Sequence, residues 1–148
     1  MSEHINKSHN KTLLLYHIVF PTKYRRKVLH RGVAKTLKEI CLGISERYEI
    51  SFVEIGFEED HIHFMVQGVP KMSIDEIVRT IKSITARILF QKHPEVKKML
   101  WGGSIWTSGY YANTVGQYAN EEVIKNYVQN QGKQYKQIYR NDQLTLFE

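Results

Sequence analysis

The sequence predicts an α+β domain, a ferredoxin-like split βαβ unit with helices on one face of an antiparallel sheet and an additional C-terminal helix. Three observations predict it. Strand and helix patterns follow one another in the order β-α-β-β-α-β-α. The acidic turn at 58–60 is short enough to join the second and third strands as a hairpin. The chain has 148 residues, 42% of them apolar, so residues 1–148 suit a single domain with one core.

The first half of the chain supplies three strands and one helix. Residues 1–11 are polar and are predicted to form a loose arm. β-Branched and aromatic side chains predict the strands, and apolar residues that recur at helical spacing predict the helix. The elements are a strand over 12–20, a helix over 31–48, and strands over 50–57 and 61–68. In this topology the first and third strands lie at the centre of the sheet.

The start of the second helix is the best-marked boundary in the sequence. Ser73 and Glu76 have the spacing of a capping box, in which each side chain accepts a hydrogen bond from the other residue's backbone N–H. Apolar residues at helical spacing follow, which predicts a helix over 74–92. Pro94 prevents its continuation.

The last third of the chain is predicted to contain one strand and one helix. Aromatic residues over 105–114 predict the fourth strand, with Gly109 as a bulge. A third helix is predicted over 121–131, because a capping asparagine precedes it and a glycine follows it. Residues 133–148 form a tail to which the pattern assigns no element.

The charge balance fits a polyanionic partner and fits equally a basic surface that has no binding role. Lys and Arg number 21 against 15 Asp and Glu, a net charge of +6. Cations that neutralise phosphates supply most of the sequence-independent affinity for nucleic acids. The single cysteine, Cys41, cannot form an intrachain disulfide, and the sequence shows no signal-peptide or membrane-spanning segment. We therefore expect a cytoplasmic protein with no membrane association.

Two histidines in the third strand are candidate metal ligands. His61 and His63 alternate with apolar residues, so both imidazoles lie on the face opposite the helices, with Cα atoms about 6.5 Å apart. Such a pair either holds one divalent ion or forms a hydrogen-bonded, partly buried pair. On the last helix, Tyr127 and Gln131 are one turn apart and either complete a metal site or pack in the core.

Four segments of the sequence are distinctive when they are taken together. In chain order they are YHIVFPTKYRRKVL (16–29), HIHF (61–64), IWTSGYYANTVG (105–116) and VIKNYVQNQG (123–132). In this combination and order they resemble the single-tyrosine HUH transposases of small bacterial insertion sequences, the TnpA type. Two histidines around a bulky hydrophobe form the HUH motif, which here is His61-Ile62-His63.

The resemblance implies the chemistry and assigns residues to it. His61, His63 and Gln131 would bind a divalent metal, and Tyr127 would be the nucleophile that forms a 5′-phosphotyrosine. Two imidazoles and one amide oxygen suit weakly held Mg²⁺ or Mn²⁺ better than tightly held Zn²⁺. The resemblance also implies a homodimer whose active sites can be composite, with either subunit supplying the tyrosine helix.

The resemblance implies that the substrate is single-stranded DNA with hairpins near the ends of the insertion sequence. Cations can bind its phosphates and a tyrosine can stack on a base. The candidate DNA-binding residues are Lys23, Tyr24, Arg25, Arg26, Lys27, Arg79, Lys82 and Arg87. His17, on the neighbouring strand, is either a partner of the histidine pair or a core residue, and is not assigned to the metal set.

Three other functions fit parts of the sequence. One is a nucleic-acid-binding module without catalysis, although this sheet shows histidines where such modules show stacking aromatics. Another is a zinc hydrolase with a third ligand or base from residues 58–60. A metal-dependent nickase of the replication-initiator type would use the same histidine pair.

Overall fold

A computed structural model describes residues 14–69, 71–101, 103–114 and 136–140. These ranges contain five strands, three α-helices and one 3₁₀ turn. In chain order the elements are β1 (Leu14–Pro21), α1 (Arg31–Arg47), β2 (Ser51–Glu58), β3 (His61–Gly68), α2 (Ile74–Lys92), α3 (Pro94–Met99), β4 (Tyr111–Thr114) and β5 (Lys136–Arg140).

The strands form one antiparallel sheet in the order β4-β1-β3-β2-β5. The predicted α+β class is confirmed, and so is the central position of the first and third strands. β3 pairs with β1 along its full length, from Leu14 opposite Gly68 to Pro21 opposite His61. The fixed register places every side chain of β3 on a defined face, as period-2 geometry requires.

The face that α1 and α2 cover carries the apolar set of the alternation. Ile18 lies opposite Phe64 and Phe57 lies opposite Ile62, and all four side chains are buried in the core with the apolar faces of both helices. The predicted orientation of the apolar residues of β3 is therefore confirmed. The opposite face carries the histidines at one end and the buried residue Met65 nearer the other.

The capping box at the start of α2 is present. The backbone N–H of Glu76 donates to Ser73 Oγ (3.1 Å), and the backbone N–H of Ser73 donates to Glu76 Oε1 (3.3 Å). A helix start leaves four backbone N–H groups without intrahelical partners, and this reciprocal pair of hydrogen bonds satisfies two of them. Helix α2 begins and ends at the predicted residues, 74 and 92.

The fourth strand is shorter than predicted, because a tryptophan points into the core instead of continuing the ladder. Trp106 is 4% exposed, and its Nε1–H donates to Thr85 Oγ1 on α2 (3.0 Å). It makes only an isolated bridge with Thr22, so regular pairing begins at Tyr111. The prediction of a strand over 105–110 was therefore wrong, and Gly109 is not a bulge within β4.

Two further elements were not predicted. Helix α3 lies between the predicted second helix and the predicted fourth strand, and it begins at Pro94, a residue that suits the first helical turn because it lacks an N–H. Strand β5 lies in the segment expected to be an unassigned tail and pairs with β2 at the edge of the sheet. The predicted arm over 1–11 and the predicted helix over 121–131 fall outside the described residues.

Candidate metal centre and nucleic-acid interface

The histidine pair lies at the end of β3 on the face opposite the helices. His61 and His63 have ring centroids 4.8 Å apart in an edge-to-face arrangement. Neither ring is fully buried, and the side chain of His61 is 21% exposed. The two imidazoles are therefore neighbours, as the alternation predicted, and solvent reaches the pair.

A carboxylate and a guanidinium fix the ring of His61. His61 Nδ1 lies 2.7 Å from Asp60 Oδ1, and the other oxygen, Oδ2, lies 3.2 Å from Arg25 Nε. A carboxylate can only accept, so Nδ1 of a neutral His61 carries the proton and Nε2 keeps its lone pair. Burial opposes ionisation of Asp60, but the hydrogen bond to His61 and the charge of Arg25 outweigh burial and lower the pKa of the carboxyl group.

His17 on β1 lies against His63. Its Nε2 is 3.1 Å from His63 Nδ1, and the rings stack with centroids 5.3 Å apart. One of these nitrogens donates and the other accepts. If His63 Nδ1–H is the donor, His63 Nε2 keeps the lone pair that a metal ion needs. His17 thus faces the pair from the neighbouring strand, one of the two alternatives that the sequence left open.

His63 has the protonation state of a metal ligand. Burial, and then the proximity of His61 and His17, lowers the pKa of His63 to about 3. Burial also lowers the pKa of His17. Neutral imidazole is the form that binds metals, so His63 needs no proton release near neutral pH.

A complete metal site needs more than these side chains. Among the described residues, no group of three His, Cys, Asp or Glu side chains is placed to hold a metal ion. Asp60 is engaged with His61 and Arg25, which does not favour the zinc hydrolase with a ligand from residues 58–60. Gln131, the predicted third ligand, and Tyr127, the predicted nucleophile, lie outside the described residues.

The basic segment after β1, residues 23–27, begins with a 3₁₀ turn. The turn spans Lys23–Arg25, with positive φ at Tyr24 (59°) and Arg25 (53°). The Tyr24 side chain is 64% exposed, and its ring lies 5.6 Å from that of Trp101. The guanidinium of Arg26 lies 3.9 Å from the Trp101 ring centroid. Lys27 is exposed at the end of the turn.

Three of the predicted DNA-binding cations line one groove. Lys23, Arg79 and Lys82 border a groove of about 390 Å³ between the turn, α2 and the segment 104–108. Lys82 differs from the other two, because its Nζ donates to the carbonyl oxygens of Thr107 (2.9 Å), Ser108 (3.3 Å) and Gly109 (2.8 Å). Burial lowers the pKa of Lys82. The contact of Lys82 with DNA stays a prediction, whereas its hydrogen bonds to residues 107–109 are present in the structure. Arg87 is exposed on α2.

Sequence reasoning missed two features of this site. Asp60 was considered only as a ligand or base, although its position directly before His61 was a signal that it could contact that ring. Trp101 follows α3 in a turn, so it belongs to no helical or strand periodicity that would have indicated a role. Its nearness to Tyr24 and Arg26 arises from the tertiary fold.

The family profile described as "Transposase IS200 like" matches residues 10–131. That range contains the histidine pair, its Asp60 partner, the basic turn and most of the sheet. The chain belongs to the IS200-like transposase family, and it is therefore a transposase and an enzyme.

Individual relatives agree with this family. The chain is 31% identical over 118 residues to the ISDra2 transposase TnpA of Deinococcus radiodurans, covering 80% of this chain and 84% of that protein. It is 29% identical over 135 residues to the transposase for insertion sequence element IS200 of Salmonella typhimurium, covering 88% of this chain and 85% of the relative.

Solved structures show the same fold. A crystal structure from Deinococcus radiodurans matches with a TM-score of 0.66 and 32% identity, over 80% of this chain and 91% of that chain. A REP-associated tyrosine transposase bound to a REP hairpin matches with a TM-score of 0.54 and 11% identity, over 78% and 62% of the two chains. Within the described ranges, no helix is long and apolar enough to cross a membrane.

Proposed function

We propose that this transposase cuts and rejoins single-stranded DNA at insertion-sequence ends by metal-assisted transesterification, with Tyr127 as the nucleophile. The observation that carries the proposal is the oriented imidazole pair. The Asp60 carboxylate contacts Nδ1 of His61, and Nε2 of His17 contacts Nδ1 of His63. Such partners behind metal-binding histidines orient the rings and tune their basicity.

His61, His63 and Gln131 would hold a divalent ion, Mg²⁺ or Mn²⁺. Two neutral imidazoles fit an ion of this kind, and an amide oxygen adds the hard ligand that these metals prefer. When bound, the ion withdraws charge from the scissile phosphate.

Tyr127 would attack the phosphorus in line with the departing 3′ oxygen. The phenol oxygen–phosphorus bond forms as the phosphorus–O3′ bond breaks, the phenol proton is lost to a base, and the 3′ oxygen leaves with a proton as a free hydroxyl. The downstream strand stays attached through a 5′-phosphotyrosine. A second 3′-hydroxyl then displaces the tyrosine and reseals the strand, so the reaction needs no nucleotide as an energy source.

DNA would bind along the basic turn and the adjoining groove. Lys23 and Arg79 border the same groove, and the exposed Tyr24 lies beside it in the turn. Hairpins near the element ends are the expected substrate, which is consistent with the hairpin bound to the REP-associated relative. A homodimer, with the tyrosine helix supplied to the histidine pair of either subunit, completes the proposal.

A denaturing gel tests the reaction. Wild-type protein and Tyr127→Phe are each incubated with 5′- or 3′-labelled single strands from the flanks of the gene, with Mg²⁺, Mn²⁺ or a chelator. We expect a covalent band that retains the 3′-labelled fragment, requires metal and is missing from Tyr127→Phe. A matched control, Tyr48→Phe, removes an exposed hydroxyl on α1's C-terminal side and should leave the band unchanged. Salt-sensitive binding without any adduct would instead support a non-catalytic binding module.

A further inference from the structure

The exposed tryptophan of this chain has the properties of a nucleobase platform. The protein has two tryptophans, of which Trp106 is 4% exposed and Trp101 is 71% exposed. We infer that Trp101 binds an unpaired base of single-stranded DNA by stacking. This inference rests on the proposed function and adds a binding residue outside the predicted set.

Neighbouring side chains hold the indole ring. The Arg26 guanidinium lies 3.9 Å from its centroid, which is close cation–π contact. The Tyr24 ring packs against it at a tilt of 54°, and Lys23 Nζ lies 5.5 Å from the Tyr24 centroid. An indole held by two neighbours loses little rotational freedom when a base stacks on it, so binding costs less conformational entropy.

The backbone is strained at this cluster. Among the described residues, positive φ at a non-glycine position occurs at Tyr24 (59°), Arg25 (53°) and Trp101 (54°). All three belong to the cluster or its turn. Trp101 follows α3 at a position where glycine is the usual residue, because a Cβ disfavours this conformation. Backbone strain at residues with exposed side chains does not improve the packing of the core, and such strain is typical of functional sites.

The cations and flat aromatic rings of this cluster favour single-stranded nucleic acid as the ligand. Lys23 and Arg26 lie against the two aromatic rings, and Arg25 and Lys27 flank them in the sequence. Single-stranded nucleic acid presents regularly spaced anions beside flat π faces, which matches cations interleaved with exposed rings. An apolar protein partner would not match this density of positive charge.

Two residues, Arg25 and Asp60, connect the platform to the histidine pair. Arg25, between Tyr24 and Arg26, contacts Asp60, and Asp60 contacts His61. A base on Trp101 would therefore anchor the strand near the proposed site of cleavage. The basic turn is shared by the platform and the groove that Lys23 lines.

Affinity for two strands of equal charge tests the inference. Fluorescence anisotropy compares a labelled oligothymidylate of roughly 12 nucleotides with an abasic strand of the same length, because only the first offers bases to stack. We expect Trp101→Ala to weaken binding of the oligothymidylate about tenfold and to leave the abasic strand unaffected, since stacking of one base accounts for about that ratio. Trp101→Phe keeps a ring and should retain most of the affinity.

Met99→Ala is the matched control, because Met99 is an exposed apolar side chain two residues away that has no π face. Quenching of wild-type tryptophan emission by oligothymidylate, but not by the abasic strand, would be an independent positive result. Thermal melting verifies that each variant is folded. Equal losses for both strands in Trp101→Ala, or no loss for either, would overturn the stacking role while leaving the proposed function intact. Failure of the wild type to bind either strand would also overturn the stacking role, whereas the proposed function is tested separately by the covalent band on strands from the flanks of the gene.

Discussion

At the scale of single residues, the site depends on which ring nitrogen carries the proton. The sequence shows two histidines on one face of a strand, but an imidazole binds metal only through a nitrogen with an available lone pair. Asp60 and His17, from a turn and a neighbouring strand, contact the Nδ1 atoms of the pair. These partners make His61-Ile62-His63 a candidate metal centre.

Removing the carboxylate behind His61 should weaken metal binding. Asp60→Ala leaves His61 Nδ1 without its acceptor, and loss of such a partner typically lowers metal affinity about 10- to 100-fold. Titration of Mn²⁺ by isothermal calorimetry measures the effect. Glu59→Ala, which removes the exposed neighbouring carboxylate, is the control and should bind as the wild type does. Equal affinities for wild type and Asp60→Ala would remove Asp60 from the site.

The lowered pKa of His63 predicts acid sensitivity. Its pKa is about 3 in the folded chain against 6.5 for an unperturbed histidine, so between these values the unfolded state binds the extra proton. The free energy of unfolding of the metal-free protein should therefore fall as pH decreases from about 6.5 toward 3, by linkage. Urea unfolding at several pH values should show a shallower fall in His63→Gln. If the free energy of unfolding fell equally with pH in the wild type and in His63→Gln, the result would contradict the lowered pKa of His63.

At the scale of elements, the packing of α2 against the segment before β4 decides where that strand begins. Trp106 inserts into the core and donates to Thr85, which is itself 0% exposed. Lys82, one turn away, donates to three carbonyl oxygens of residues 107–109. Together these contacts hold the segment against the helix and away from the ladder.

Loss of the buried acceptor should destabilise the chain. Thr85→Val keeps the shape but leaves the indole N–H of Trp106 without a partner, which costs about 1–3 kcal/mol. Thermal or urea unfolding measures the change. Thr80→Val on the same helix removes a hydroxyl that bonds only its own helix backbone, to Glu76, and should change stability much less. Equal changes in both variants would show that the Trp106 contact adds nothing.

At the scale of the whole molecule, the positive charge divides into cations that contact the protein and cations that face solvent. Lys82 belongs to the first group, and Arg79, exposed on the same helix, belongs to the second. Both border the groove next to the basic turn. Sequence alone placed them in one class, because both appear as cations on an amphipathic helix.

The two groups should respond differently to substitution. Arg79→Gln should leave the melting temperature unchanged and reduce the slope of log affinity for single-stranded DNA against log salt by about one, as expected for one lost phosphate contact. Lys82→Gln should lower the melting temperature, because it removes the donor for carbonyls at 107–109. Anisotropy titrations at several salt concentrations measure the contribution of each cation to DNA binding, and thermal melts measure its contribution to stability. The reverse pattern would assign DNA contact to Lys82.

Local patterns in the sequence determined the strand alternation around His61, the capping box at Ser73, the start and end of α2, and the central position of β1 and β3. The first three depend on spacing between neighbours along the chain, which the backbone geometry of helices and strands converts directly into structure, and the last depends on the order of the elements. The resemblance across four segments also identified the family, which the profile match confirms.

Tertiary structure alone decided the rest. Several contacts join residues far apart in the sequence or depend on unusual backbone angles. They are the contact of His17 with His63, the ion pair of Arg25 with Asp60, the pairing of β5 with β2, and the cluster of Trp101 with Arg26. No periodicity records such contacts, because they form only when the strands pair and the turns close around the core. The paired histidines could therefore be found from the sequence, whereas the residues that orient them, and the platform beside them, required the fold.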